Sequence, residues 1–147
     1  MMIWGKYTWI FFHTLVEKIK DDKFHQHKHM ICSMIMNLCS CLPCPTCKEH
    51  AMETLSKKNI FAVRSKQELK LFMYQFHNTV SHKKGMSTPD LHILEQYKYS
   101  NLRRATQLFA QHFSTNAPGL MTQQMKRRAV VAQTLRTLHQ NWHLFDN

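Results

Sequence analysis

Glycine and proline are scarce, at three and four in 147 residues. A chain so poor in turn formers favours long helices over a many-stranded sheet. It also lacks any apolar run near the roughly 18 residues that a membrane span needs. The segment from Met1 to Tyr7 has neither the charged start nor the small-residue cleavage site of a secretory signal, so a cytosolic protein is expected. Acidic residues are few, 9 against 20 Lys+Arg, which with eleven neutral histidines gives a formal net charge of +11. That balance attracts polyanions such as nucleic acid, anionic membrane or acidic proteins. The charge is scattered, densest at Lys126-Arg127-Arg128, so nucleic-acid binding is left open rather than selected. Cysteine is missing from everything except residues 32 to 47, where all five lie. A disulfide-stapled secreted fold would spread them along the chain, so the cluster points to local metal or redox chemistry.

What is present fills helices. Hydrophobic residues make up 44% and aromatics 11%, a composition that folds, at a length suited to one domain with its own core. Trp4 to Lys20 is apolar at helical spacing through Trp9, Phe12, Leu15, Val16 and Ile19. Asp21-Asp22-Lys23 breaks it, and a second helix is expected from about Phe24 to Ser40, with Ile31, Met34, Ile35 and Leu38 inward. Proline is tolerated in a first helical turn but not in an interior. Pro45 is therefore expected to open a third helix carrying Cys47, His50, Met52 and Leu55. Ser65-Lys66-Gln67-Glu68 reads as a capping box. It starts a fourth helix with Leu69, Phe72, Met73, Phe76 and Val80 inside, which Lys83-Lys84-Gly85 stops. Thr88-Pro89 reads as N-cap and first position of a fifth helix reaching Phe113. After a break at Asn116-Ala117-Pro118-Gly119, a last helix from about Gly119 to Phe145 repeats Leu135, Leu138, Trp142 and Phe145 at spacings of three and four. No segment alternates and no repeat recurs, so the expected fold class is an all-α bundle.

The cysteine run is Cys39-Ser40-Cys41-Leu42-Pro43-Cys44-Pro45-Thr46-Cys47-Lys48-Glu49-His50. As a zinc site, Cys41, Cys44, Cys47 and His50 supply four ligands, but structural zinc usually joins two clusters distant in sequence. As an iron–sulfur run it lacks a fourth cysteine beyond Cys47. As a dithiol, Cys44-Pro45-Thr46-Cys47 stands at a helix start, where the dipole and free N–H groups favour a thiolate and lower its pKa. Thioredoxin-like chemistry would need βαβ units that this chain lacks. Buried, inert thiols are the ordinary reading for Cys32 and Cys39, and a poor one for a proline-bracketed Cys-x-x-Cys. His25, His27 and His29 alternate, which suits a solvated helix start rather than one helical metal site.

A dithiol must hand its electrons on. Gly5, Trp9 and His13 recur every four residues and share one helical face. Glycine admits something flat, tryptophan stacks on it and histidine hydrogen-bonds. His77, Val80, Ser81 and Lys84, with Asn78 beside them, share a face of the fourth helix. Each alone is more often core; two such faces beside a dithiol make a flavin pocket between helices credible.

These residues resemble the Erv/ALR family of FAD-linked sulfhydryl oxidases. Trp4-Gly5-x-x-x-Trp9-x-x-x-His13 matches the family's opening motif, and Cys44-Pro45-Thr46-Cys47-x-x-His50 its Cys-x-x-Cys-x-x-His. His77-Asn78-x-Val80 matches the start of its His-Asn-x-Val-Asn signature. All three stand in family order over roughly residues 4 to 100. The short members encoded by large DNA viruses are the most similar.

The resemblance implies a four-helix bundle with a short fifth helix, non-covalent FAD and a homodimer. It implies that residues 1–114 form the oxidase domain and 115–147 a C-terminal helical extension packed on that domain or on the dimer. Cys47 would lie against the flavin and Cys44 would exchange with substrate. Trp4, Gly5, Trp9, His13, His50, His77, Asn78, Val80, Ser81 and Lys84 would line the cofactor. The partners implied are dithiol proteins or a small redox relay protein, and molecular oxygen reduced to hydrogen peroxide, in host cytoplasm or virion. The chain departs from the pattern at Ser81, where the signature has asparagine, and near Met86, where a basic residue is usual and Lys83 or Lys84 would substitute. No cysteine lies beyond Cys47 to act as a distal shuttle, so electrons would enter directly at Cys44. Lys126, Arg127, Arg128 and Arg136 are read as a docking face for an acidic partner. The competing classes are a non-enzymatic zinc-binding module with a basic nucleic-acid-binding surface, and a virion structural protein.

Overall fold

The computed structural model describes residues 3–113 and 121–147. Their regular structure is helical throughout, apart from one isolated antiparallel bridge between Ile19 and Phe145. Helix α1 runs Ile3–Lys18, α2 Phe24–Cys39, α3 Pro45–Lys57, α4 Lys66–Lys83, α5 Leu102–Phe113 and α6 Met121–Asn141.

The termini follow from local chemistry. Pro45 opens α3 at its first position and Cys44 is the N-cap. At α4 the Ser65 hydroxyl accepts from the Glu68 N–H at 3.1 Å, while the Glu68 carboxylate reaches back to the Arg64 N–H at 2.6 Å. Gly85, at φ +73°, ends that helix. Its N–H donates to the His82 carbonyl and the Met86 N–H to that of Ser81, both at 2.9 Å, closing a Schellman turn. Glycine is needed there because other residues pay for a positive φ.

The expected fifth helix is two elements. Asp90, not Thr88, caps a 3-10 helix over Leu91–Tyr99, accepting from the His92 N–H at 3.1 Å. Ser100 is extended, and Asn101 caps α5 through the Arg104 N–H at 2.8 Å. A side-chain acceptor at each of two nearby positions starts two helices rather than one. The expected break at residues 116–119 and start of the last helix lie outside the described residues. That helix stops at Asn141, short of Phe145, and a 3-10 turn over Trp142–Leu144 follows.

Helix α1 is the centre. Phe11 and Phe12 are fully buried, and Phe11 stacks on Phe109 of α5 at 4.5 Å. Burying such a ring contributes about 2–3 kcal/mol. On the α4 side a largely buried ion pair joins Lys70 to Glu17 at 2.7 Å. Helix α6 packs on α2, and the residues after it return to the α1–α2 junction. There the Lys20 N–H donates to the Leu144 carbonyl at 2.9 Å and the Asp146 N–H to that of Lys18 at 2.7 Å. Among the described residues no helix is long and apolar enough to cross a membrane.

Candidate active site

Where α1, α3 and α4 meet, a narrow cleft is lined by Trp4, Gly5 and Trp9 from α1, Cys47 from α3, and Val80, Ser81 and Lys84 at the end of α4. These seven come from three stretches of sequence, and packing α1 and α3 on α4 brings them together. The Lys83–Glu53 ion pair at 2.8 Å ties the end of α4 to α3 and thereby sets Lys84 near Cys47.

The two cysteines differ. Cys44 is half-buried, and its Sγ accepts a hydrogen bond from the Cys47 N–H at 3.2 Å, so the open donors of α3 serve this sulfur. Cys47 is only 6% exposed and faces the cleft. Burial pushes its thiol up from the ordinary value and the hydrogen bond with Cys44 adds to that, while Lys84 opposes by hydrogen bond and charge. This corrects the expectation that the helix start lowers the pKa of this thiol: the capping interaction goes to position 44, and desolvation governs position 47. All five cysteines are free thiols, and Cys32, Cys39 and Cys41 are buried.

His13 and His77 stand behind Trp9 rather than on the cleft wall. His77 stacks on Trp9 at 4.0 Å and 7°, its Nδ1 lies 2.9 Å from His13 Nε2, and His13 stacks on Tyr97 at 4.9 Å. Burial drives both rings neutral, His13 down to about 3 with His77 assisting, and His77 to about 4 with Lys84 assisting. One neutral ring donates and the other accepts. His50 and Asn78 are half-buried and outside the lining of the cleft.

The motifs name none of Thr8, Leu42 and Ala51, which also line the cleft, and Phe12, Phe76 and Cys39, expected as core, stand on its walls with Met86. Gly5, Thr8, Trp9 and Phe12 form an i, i+3, i+4, i+7 stripe, and following only the i+4 steps left Thr8 and Phe12 out. Tyr97 gave no signal, because it joins His13 from a separate 3-10 helix.

The donor set suits a flat, anionic aromatic cofactor such as FAD. The cleft is walled by aromatic rings and Val80, and Trp4 Nε1 is buried without a hydrogen-bond partner among the described residues. Lys84, exposed at the end of α4, supplies positive charge. The walls approach closely, leaving about 30 Å³ between them, so a ring system would have to part these side chains to enter.

A helical bundle that presents one sulfur of a Cys-x-x-Cys pair to an aromatic cleft and leaves the other half-exposed defines a dithiol redox protein. The family model for the Erv1 / Alr family matches residues 6–100, well over half of the chain, and the chain belongs to that family. It is 29% identical over 77 residues to a protein of Fowlpox virus named a probable FAD-linked sulfhydryl oxidase, covering 52% of this chain and 77% of that one. A FAD-linked sulfhydryl oxidase of African swine fever virus is 26% identical over 83 residues, 56% of this chain and 69% of the relative. One from Arabidopsis thaliana is 30% identical over 81 residues, 55% of this chain and 42% of the relative. No solved structure matches at a significant level.

Proposed function

We propose that this chain is an FAD-dependent thiol oxidase that forms disulfides in dithiol proteins through Cys44 and Cys47. The observation that carries the reading is the placement of Cys47 in the aromatic cleft while its partner sulfur stays half-exposed at the cap of α3.

With Cys44 and Cys47 joined as a disulfide, a substrate thiolate attacks Cys44 Sγ, the accessible sulfur. A mixed disulfide forms and Cys47 leaves as thiolate. Lys84 stabilises that leaving sulfur by hydrogen bond and charge, offsetting the cost of ionising a buried group. A second substrate thiolate displaces Cys44, and substrate departs oxidised, with the electron pair on the reduced Cys44–Cys47 dithiol. FAD, when bound, supplies the two-electron acceptor from which oxygen is reduced to hydrogen peroxide. Trp4, Gly5, Trp9, Val80, Ser81 and Lys84 would hold it, with His13 and His77 fixing Trp9 from behind; Asn78 and His50 are assigned the edge of the site.

Residues 1–114 act as the oxidase domain and 115–147 as an extension packed on it or on the dimer, in a viral protein that works as a homodimer in host cytoplasm or virion. A zinc-binding module is the weaker reading, since among the described residues no three His, Cys, Asp or Glu side chains stand together to hold a metal. Cys47→Ser should leave a folded, yellow protein that consumes no oxygen with a dithiol substrate. Undiminished thiol-dependent oxygen uptake in that variant refutes the assignment.

A further inference from the structure

Outside the cleft, a second concavity lies between the start of α3 and the first turns of α6. This groove measures about 270 Å³ and is lined by Leu42, Pro45, Lys48, Glu49, Lys126 and Arg127, with Cys41 on its floor. Leu42 lines both it and the aromatic cleft, and Pro45 adjoins Cys44. The Cys-x-x-Cys loop is thus the wall between the two, with Cys47 facing the cleft side.

The groove is electropositive. Three cations face one carboxylate, Glu49, and no ion pair among the described residues involves Lys48, Lys126 or Arg127. Arg127 is 4% exposed, and among the described residues its guanidinium donates to the carbonyls of Cys41 at 2.9 Å and Leu42 at 3.5 Å. Its Nη1 is buried without a partner among those residues. A buried cation left uncompensated is costly, and an anion brought near it recovers part of that cost. Burial raises the Cys41 thiol and the charges of Lys126, Arg127 and Lys48 oppose it, in keeping with their shared lining of the groove. Helix α6, which supplies Lys126 and Arg127, lies beyond the family match at 6–100.

We propose that this groove docks an acidic segment of the dithiol protein substrate, with a carboxylate between Lys48 and Lys126 above Arg127 and the substrate cysteines carried to Cys44. The proposal rests on the thiol-oxidase reading for what happens next, but not for binding itself. It also narrows the expected docking face to Lys126 and Arg127, since Arg128 and Arg136 are not among the residues that line the groove.

The test uses the full chain with FAD and a fluorescent peptide bearing glutamates beside two serines in place of cysteines. Fluorescence anisotropy should show it binding at least tenfold tighter than the same peptide with glutamine for glutamate. Lys126→Glu should weaken it about tenfold. Arg128→Glu, the same charge change on an exposed residue that does not line the groove, should weaken it less than threefold. Lys48→Ala provides a second variant should Lys126→Glu misfold. With cysteines restored, KM for the acidic peptide should rise in Lys126→Glu in step with the binding loss. Equal binding of acidic and neutral peptides, equal losses in the two charge variants, or equal binding of a short single-stranded oligonucleotide would each overturn the proposal. Loss of all thiol oxidation with the binding differences intact would instead remove the oxidase reading and leave the groove standing.

Discussion

In the proposed reaction Cys44 and Cys47, three residues apart, have opposite tasks, and the difference comes from what each sulfur meets. Cys44 caps α3 and takes the N–H of Cys47, while Cys47 turns into the cleft and is desolvated. A buried thiol is a poor leaving group unless something charged stands near it. Lys84 is that group, exposed itself but lining the same cleft and drawing the Cys47 pKa down. Replacing Lys84 with methionine removes the one influence that lowers this thiol's pKa and leaves burial and Cys44 unopposed. Alkylation of Cys47 in the reduced protein, followed by peptide-resolved mass spectrometry at fixed pH, should slow several-fold. An unchanged Cys47 rate would show that the lysine does not act on the sulfur.

At the scale of elements, α6 holds the redox loop from outside. Arg127 forks onto two carbonyls of the segment between α2 and Cys44, an arrangement the planar guanidinium suits and an ammonium does not. Arg127→Met should cost about 1–3 kcal/mol in urea denaturation, since it strands two acceptors while relieving a buried charge. Arg127→Lys should recover only part of the loss. No loss in the methionine variant would mean that α6 merely lies on the loop. This contact joins residues 86 apart, and nothing near either partner announces it. By contrast, the Ser65–Glu68 cap, the stop at Gly85 and the start at Pro45 were legible because each is complete within a few residues. The family motifs gave the cleft its Trp4, Gly5, Trp9 and Cys47. The pairing of His13 with His77 across 64 residues, the Tyr97 stack and the burial of Cys47 depend on how helices pack. The 3-10 helix is capped at Asp90 and not at the expected Thr88, because the Asp90 carboxylate accepts from the N–H of His92 two residues on.

For the molecule as a whole, the paired imidazoles set a limit on acid stability. Unfolded, each histidine takes a proton near pH 6.5; folded, His13 holds off until about 3 and His77 until about 4. Between those values the unfolded chain binds more protons, so stability falls as pH drops through the window and is fully present above it. At pH 5 each group costs about 2 kcal/mol relative to neutral pH. The carboxylates Glu53 and Glu95, held below their usual value of 4.5 by lysines, begin to lose their pairs only at lower pH. The interval from 6.5 to 4.5 therefore isolates the histidines. Stability of the FAD-free protein, measured by urea denaturation across that interval, should decline steeply. The double variant His13→Phe, His77→Phe removes both hydrogen-bonding partners together and keeps the rings stacked between Trp9 and Tyr97, so its stability should be nearly flat over the same range. A double variant that declines as steeply as the parent would place the acid sensitivity elsewhere and show that the two rings accept protons in the fold.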